Sequence, residues 1–424
     1  MTAPAGCICL QLRTELDAGN HVQRMRQNLM RGRLGRSRIG IVSGIVRPTA
    51  MAPHGEAHTV ASGDGNGNFT SMVAEIDPKC IVPEEHRATE ADASSFDDSV
   101  ERSVPVIDIS ALVQKSSDES AISRVVEQIG AACKEWGFFQ AINHGVPQEL
   151  LDELAAAERE FFALPLEEKK RVNRSITNAW GYANDELTKR TRDWKECFDF
   201  GPTYYPDLPD DHESNLSQDG FNQWPEGRPK FKSVLTRYFD VMTGLSTKLL
   251  EAIAMSLGLE ADYFHQYFGK KHSSIMRLNF YPICPDPTVV MGVNRHKDAG
   301  ALTVISQDDV GGLQVLNGGK WIGVKPIKGA FVINIGDMMQ VWTNDIYKSP
   351  VHRVLANKLS ARYSTPYFFN PAYETFCAPI EACVKPGTEP AYQPVSWAQY
   401  RLKRYEGDVS DRGEEVQIAQ YVKG

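Results

Sequence analysis

The sequence lacks long apolar runs and Cys-x-x-Cys pairs, and the body of the chain lacks basic runs interleaved with aromatic residues. No segment approaches the ~18 consecutive apolar residues of a membrane-spanning helix, so a membrane partner is not expected. None of the eight cysteines belongs to a Cys-x-x-Cys pair, which favours structural thiols in a reducing compartment and no disulfides. The formal net charge is -8, and no basic run is interleaved with aromatic residues in the body of the chain. Nucleic acid is therefore not an expected partner.

The first hundred residues have little that could build a core. Residues 1–55 contain eight arginines, no lysine and only two acids, Glu15 and Asp17, a composition like that of an organellar transit peptide. A disordered tail or an upstream extension has the same composition. Residues 51–103 are then rich in Gly, Ser, Asn and acids, with too little apolar content to pack. We predict a disordered or targeting extension over 1–100, and a cytoplasmic protein unless the arginines direct it to an organelle.

Helical patterns precede strand patterns in the rest of the chain. Apolar residues recur at helical spacing from Ala121 to Trp136 and from Pro229 to Leu257, so 101–272 is predicted to be a mainly helical part of the same unit. The irregular stretch 175–228 is where substrate contacts are expected, because long loops inside compact domains are usually functional.

Strands separated by turn residues dominate 273–406, which is typical of an antiparallel all-β sandwich or barrel. The predicted strands include Ile275 to Tyr281, Ala330 to Ile335 and Met338 to Trp342. A terminal helix is predicted from Trp397 to Glu406, followed by a tail over 407–424, with no separate domain.

The segment from Asn294 to Ile305 carries the first candidate site. It follows a turn-like Met291-Gly292-Val293-Asn294 and is predicted to be one strand, on which His296 and Asp298 face the same way. One imidazole and one carboxylate are two thirds of the 2-His-1-carboxylate set that holds non-heme Fe(II). With ten histidines in the chain, the probability that one His-x-Asp arises by chance is roughly one half. The tripeptide therefore needs support from elsewhere.

His352 supplies that support together with two residues that follow it. Arg362 and Ser364 lie at +10 and +12, and we predict two adjacent strands joined by a turn at Asn357-Lys358. Arg362 and Ser364 then share a face, where a planar guanidinium and a hydroxyl can bind the same carboxylate.

Asn279 and Tyr281 form a second pair of hydrogen-bonding side chains two residues apart on a predicted strand. An iron held by His296, Asp298 and His352 would keep three open positions, enough for a bidentate oxo-acid and dioxygen. Taken singly, Arg362 fits a surface salt bridge and Tyr281 fits a barrel-wall aromatic, but the set in this order favours a site.

On these motifs the sequence resembles the Fe(II)/2-oxoglutarate-dependent dioxygenase superfamily, in its isopenicillin N synthase-like branch, over roughly Val104 to Glu406. The matching segments are Val104-Pro105-Val106-Ile107-Asp108, Gly137-Phe138-Phe139 to Val146, Asn279-x-Tyr281-Pro282, His296-x-Asp298, Gly311 to Val315, Gly336-Asp337, Ser349-Pro350-x-His352-Arg353-Val354 and Arg362-x-Ser364. The resemblance implies a mainly β fold, a double-stranded β-helix (jelly roll) with flanking helices and one Fe(II) at its mouth.

The resemblance also implies residue roles. His296, Asp298 and His352 would bind iron, Arg362 and Ser364 would hold the distal carboxylate of 2-oxoglutarate, and Asn279 and Tyr281 would assist near its other end. Lys297 stands where many members have Thr or Ser, but strand parity turns it away from the metal. His144, at a strand–turn junction, is predicted to make local hydrogen bonds and not to bind metal.

The predicted function is oxidation of a small-molecule metabolite with dioxygen and 2-oxoglutarate, by hydroxylation, desaturation or cyclisation, with release of succinate and CO2. Two alternatives stay open at this point. One is an Fe(II) oxidase of the same fold that does not use 2-oxoglutarate, with Arg362 and Ser364 binding the substrate's own carboxylate. The other is a non-catalytic regulator that binds a small carboxylate. We expect a monomer.

Overall fold

The computed structural model describes residues 76–93, 96, 102–114, 118–409 and 416–423. The arginine-rich stretch and its predicted targeting role lie outside the described residues. None of the described helices is long and apolar enough to cross a membrane, and the six described cysteines are free, buried thiols.

Two sheets and a set of flanking helices make up the fold, as the jelly-roll prediction requires. The helices are α1 (Glu90–Ala93), α2 (Ser110–Val113), α3 (Glu119–Glu135), α4 (Gln148–Phe162), α5 (Leu166–Lys170), α6 (Pro229–Ser256), α7 (His265–Phe268), α8 (Asp337–Trp342) and α9 (Trp397–Val409). The strands are β1 (Val106–Asp108), β2 (Phe138–Ile142), β3 (Gly181–Ala183), β4 (Leu187–Thr188), β5 (Thr191–Arg192), β6 (Glu196–Phe200), β7 (Ile275–Tyr281), β8 (Met291–His296), β9 (Leu302–Gln307), β10 (Leu313–Asn317), β11 (Lys320–Gly323), β12 (Phe331–Ile335), β13 (His352–Leu355), β14 (Arg362–Phe369), β15 (Phe376–Cys377) and β16 (Val395–Ser396).

The large sheet has eight strands in the order β1-β2-β12-β9-β14-β7-β6-β3, and the small sheet has four in the order β11-β10-β13-β8. Every neighbouring pair is antiparallel except β1 and β2. Apolar residues of both sheets, such as Val315 and Val354 of the small sheet and Ile305 and Val332 of the large one, form one buried cluster. The two sheets therefore face each other around a shared core.

Helices α3, α4 and α6 pack on the outer face of the large sheet. Asp118 caps the N-terminus of helix α3, because its carboxylate accepts from the amides of Ser120 and Ala121. The helix ends before Gly137, which has φ +65°, a conformation that favours glycine. Along helix α6, buried apolar side chains recur every three or four residues and form one face of the helix. Each fully buried side chain of this kind contributes roughly 1.5–3 kcal/mol.

One carboxyl group is buried between these helices and the sheet. Glu158 of α4 is 5% exposed, its carboxylate accepts a short hydrogen bond from the Thr365 hydroxyl of β14, and Tyr238 of α6 lies close by. Burial, and then the negative charge of Asp308, raise the pKa of Glu158 to about 8.

The folded unit begins earlier than the predicted boundary near residue 101. Residues 76–93, here called the strap, contain two 3-10 turns and α1. Ile81 forms an antiparallel bridge with Val290, and Cys80 is buried with Cys284, Val290 and Ala356. The composition of the segment hid this packing, because few apolar side chains are enough to anchor so short a stretch.

Four further expectations need correction. Met338 to Trp342 lies within α8 and is not a strand; a run in which every residue is buried has no period that separates the two. β13 and β14 are not adjacent strands, since they lie in different sheets. Strands β1, β2, β3 and β6 of the predicted helical part join the large sheet. The predicted tail contains a helical end, as α9 runs to Val409, and a packed segment, as the Lys423 amide donates to the Ala391 carbonyl.

Candidate metal centre and adjoining cavity

Three predicted ligands converge at one end of the small sheet. His296 is the last residue of β8 and His352 the first of β13, and the two are cross-strand partners. The Nε2 atoms of His296 and His352 lie 3.6 and 3.5 Å from Oδ1 of Asp298. One ligand atom from each residue lies within 4.8 Å of the other two, a spacing that can hold a metal ion.

Asp298 does not lie on the same strand as His296, contrary to the prediction. β8 covers Met291–His296 and β9 starts at Leu302, in the other sheet, so Asp298 belongs to the turn between sheets. Met291 to Asn294 is correspondingly strand and not turn. The turn is fixed by backbone hydrogen bonds, since the amide of Asp337 donates to the carbonyl of Asp298 (2.8 Å).

Both histidines point the same ring nitrogen at the centre. Nδ1 of His296 lies 2.9 Å from the carbonyl oxygen of Asn294, and Nδ1 of His352 lies 3.2 Å from that of Pro350. A carbonyl only accepts, so each Nδ1 carries the proton and each Nε2 keeps its lone pair. Burial, and then the neighbouring His352, lower the pKa of His296 to about 3, which keeps that ring neutral.

The carboxylate of Asp298 is oriented by two donors that the sequence analysis missed. Its Oδ2 accepts from the Thr303 hydroxyl (2.6 Å) and the Asn334 amide (2.7 Å), which leaves Oδ1 facing the histidines. Burial alone raises the pKa of Asp298, but the two histidines and these hydrogen bonds outweigh it and lower the pKa. The carboxylate is thus ionised, as a metal ligand must be.

The four residues predicted to bind a carboxylate meet on the ladder between β14 and β7. Arg362 is the cross-strand partner of Tyr281, and Ser364 is the partner of Asn279. The guanidinium of Arg362 lies 5.0 Å from the Tyr281 ring centroid. Tyr281 also packs on Gly292 of β8, the strand that ends in His296, and so links this group to the candidate metal centre.

Arg362 is 2% exposed and is held at both ends. Its Nη1 donates to the Ser364 hydroxyl (3.2 Å) and its Nη2 to the Gln307 side-chain oxygen (3.0 Å). Its Nε, and the side-chain oxygen of Asn279, are buried with no hydrogen-bond partner among the described residues. A buried charged group with an unused donor can bind an anionic group, because leaving that donor unpaired is costly.

A cavity of about 410 Å³ opens against His296 and Asp298, within the size range of small-molecule sites. Of the described residues that line it, eight are basic and five acidic. The basic ones include Arg401, Lys403 and Arg404 of α9 and Lys195 beside β6. The predicted loop 175–228 contributes Leu187 to Arg190, so part of it does reach the cavity.

Two remaining expectations concern lysine and histidine. The ammonium of Lys297 lies 3.4 Å from the Gln340 side-chain oxygen and lines the cavity, while its two neighbours supply two of the candidate ligand atoms. His144 lies away from the centre, with Nε2 2.8 Å from the Gly329 carbonyl and its ring stacked on Phe331. The predicted local hydrogen bond is the one that its Nδ1 accepts from the Val146 amide (3.2 Å), whereas the Gly329 contact joins residues far apart in the chain.

Comparison with protein families finds two matching models. The model of the 2OG-Fe(II) oxygenase superfamily matches residues 272–371, which contain all seven predicted site residues. The model described as non-haem dioxygenase in morphine synthesis N-terminal matches residues 104–227.

Among similar proteins, jasmonate-induced oxygenase 2 of Arabidopsis thaliana is 34% identical over 305 residues, which cover 70% of this chain and 78% of that protein. Feruloyl CoA ortho-hydroxylase 1 of Arabidopsis thaliana is 37% identical over 316 residues, covering 72% and 80%. A solved structure of JOX2 in complex with 2OG, Fe and JA aligns with a TM-score of 0.68 and 30% identity, covering 84% of this chain and 96% of that one.

Proposed function

Because the chain belongs to the 2OG-Fe(II) oxygenase superfamily, we propose how its own residues bind ferrous iron, 2-oxoglutarate and substrate. The protein is an Fe(II)- and 2-oxoglutarate-dependent oxygenase that uses dioxygen to oxidise a small molecule. We assign the iron ligands to His296, Asp298 and His352. This assignment rests on the observation that one ligand atom of each residue lies within 4.8 Å of the other two.

The donor set suits ferrous iron. Two neutral imidazole nitrogens and one carboxylate oxygen form the 2-His-1-carboxylate set, which leaves open positions on the metal. When bound, iron and 2-oxoglutarate together supply the activation of dioxygen that oxidises the substrate, with release of succinate and CO2. The carbonyls of Asn294 and Pro350 keep the proton on each Nδ1, and so keep each Nε2 available.

We assign the distal carboxylate of 2-oxoglutarate to Arg362 and Ser364, with Asn279 and Tyr281 assisting near the other end of the molecule. The support is the buried guanidinium of Arg362, which Gln307 orients. The Nε atom of this guanidinium has no hydrogen-bond partner among the described residues. An arginine held in this way offers a fixed fork that matches a carboxylate. The guanidinium lies 5.0 Å from the centroid of the Tyr281 ring, a contact that favours one orientation of the arginine.

Substitution of Arg362 tests this assignment. A charge-assisted hydrogen bond contributes about 1.5–3 kcal/mol, so Arg362→Met should raise the KM for 2-oxoglutarate roughly 10- to 100-fold. Arg159→Met is the matched control, since this exposed arginine lies over the Tyr363 ring (5.8 Å), on the other face of β14. An unchanged KM in Arg362→Met, with normal metal binding, would contradict the assignment.

The primary substrate is proposed to be a small organic anion. Basic side chains outnumber acidic ones in the cavity wall, and one of the acids, Asp298, is assigned to the metal. A cavity with this balance concentrates anions and disfavours cations. Succinate release should therefore be stimulated more by carboxylic acids than by their matched methyl esters. Equal stimulation by acid and ester would count against this class.

We further propose that the enzyme acts as a monomer, without nucleic acid, in the cytoplasm or in an organelle reached through the arginine-rich segment. The net charge of -8 supports the absence of nucleic acid. Light scattering of the purified chain tests the monomer, and the distribution of fluorescent fusions with and without residues 1–55 tests the location.

A further inference from the structure

The strap crosses the outer face of the small sheet from one edge to the other. It starts at Asp77, whose carboxylate pairs with Arg192 of β5 (2.6 Å), and pairs with the chain just before β8 through Ile81. It then reaches Arg295 of β8, and finally Arg353 of β13 and Gln314 of β10. The strap thus makes side-chain contacts with three of the four strands of this sheet, including both that end or begin at a candidate ligand, and its helix α1 lies against the fourth, β11.

The contacts fall on the residues next to the two histidines. The Nε2 atom of His86 lies 2.5 Å from the guanidinium of Arg295. The carboxylate of Asp92 lies 3.0 Å from the guanidinium of Arg353. Side chains alternate between the faces of a strand. The arginines therefore point outward to the strap where His296 and His352 point inward.

The Asp92 contact is part of a buried group. Arg353 is 3% exposed, its Nε donates to the Gln314 side-chain oxygen (2.8 Å), and its guanidinium lies 4.0 Å from the Trp321 ring centroid. The Gln314 amide in turn donates to the backbone carbonyl of Asp92 (2.5 Å). Thr89 fixes the Asp92 carboxylate through its amide and hydroxyl (2.8 and 2.9 Å).

The strand pairing is irregular at this place. His352 pairs with His296, but Val354 pairs with Val293, so β8 has one residue more than β13 between the two pairs. A bulge of this kind leaves a residue unpaired and weakens the ladder locally. The backbone alone therefore fixes the separation of the two histidines less firmly here than regular pairing would.

We propose that the strap sets the relative position of His296 and His352 by holding the bulged pairing of β8 and β13 from outside, with Asp92 as the positioning residue. The proposal rests on the iron ligands assigned above. Without Asp92, Arg353 keeps its aromatic and amide contacts but loses its carboxylate partner, and β13 can shift relative to β8. The strap then acts on the metal without touching it.

Metal titration of the full-length chain tests the proposal independently of turnover. The binding of Mn(II) is measured by calorimetry, and the visible spectrum of the Co(II) form reports on ligand geometry. Changes in the contacts behind metal ligands typically cost 10- to 100-fold in affinity, so Asp92→Asn should weaken Mn(II) binding roughly tenfold and alter the Co(II) spectrum. Asp92→Glu, which keeps the carboxylate, should restore most of the affinity.

Asp77→Asn is the matched control, because it removes an ionic anchor of the strap that pairs with β5 and not with an arginine next to either histidine. Asp77→Asn should leave the Mn(II) affinity within about twofold of wild type. Asp77→Asn and Asp92→Asn should melt at similar temperatures, so that a difference in affinity does not reflect a difference in stability. Equal loss of affinity in both variants, or wild-type affinity in a folded Asp92→Asn, would overturn the strap's role alone. Unaltered Mn(II) binding in His352→Ala would overturn the ligand assignment and, with it, this proposal.

Discussion

Replacing Glu158 with glutamine should stabilise the protein by an amount that grows with pH. The pKa of Glu158 is raised by burial, and further by Asp308, from 4.5 to about 8. Because the folded-state pKa is the higher one, the folded state favours the protonated carboxyl. The stability that this group contributes is fully present below about pH 4.5 and is lost as the pH rises through about 8.

The size of the effect follows from the two pKa values. Each pKa unit corresponds to about 1.4 kcal/mol. The free energy of unfolding should therefore be reduced by about 1 kcal/mol at pH 5, about 3 kcal/mol at pH 7 and about 5 kcal/mol at pH 9, relative to a group that does not titrate. Glutamine cannot ionise and keeps an oxygen that accepts from the Thr365 hydroxyl, so the variant avoids this loss.

Urea unfolding at pH 5, 7 and 9 measures the difference directly. The excess stability of Glu158→Gln over wild type should increase by about 2 kcal/mol from pH 5 to pH 7 and by up to about 2 kcal/mol more at pH 9. Glu160→Gln, on the exposed side of the same helix, is the control and should show no such trend. A difference that is constant with pH, or that shrinks as the pH rises, would refute the argument.

Three other substitutions test separate parts of the structure. Asn334→Ala removes the donor 2.7 Å from Asp298 and should weaken Mn(II) binding roughly 10- to 100-fold in calorimetry. Lys195→Met leaves the buried Asp193 carboxylate (2.9 Å) without its cation, while Glu186 (3.1 Å) keeps Arg277, and should lower the free energy of unfolding in urea by about 3–5 kcal/mol. Gly292→Ala places a methyl group 2.9 Å from the Tyr281 ring and should raise the KM for 2-oxoglutarate while metal affinity stays normal.

The candidate site could be predicted largely because its residues have distinctive types and spacings. Strand parity put Arg362 and Ser364 on one face, and the structure adds that they pair across the ladder with Tyr281 and Asn279. For His296 and Asp298 the convergence is as predicted but the reason differs, since a turn and not a strand brings the carboxylate round.

Other features leave no local trace in the sequence. Residues 338–342 form a helix in which every side chain is buried, and a run that is buried throughout shows no period that distinguishes a helix from a strand. The pairing of Asp92 with Arg353 joins two polar residues far apart in the chain, and nothing near either one announces it. Asn334 was missed for the same reason, whereas Thr303 lies only five residues from Asp298 and was missed because Asp298 was expected on a strand and not in a turn.

The cross-strand pairing of His296 with His352 also bears on when the metal can enter. His296 is made well before His352, and the two meet only once β13 has paired with β8. During synthesis the emerging chain therefore offers at most two of the three ligands. Iron should be captured only after the jelly roll has closed, which keeps a redox-active ion off a nascent chain whose oxidisable side chains are still exposed.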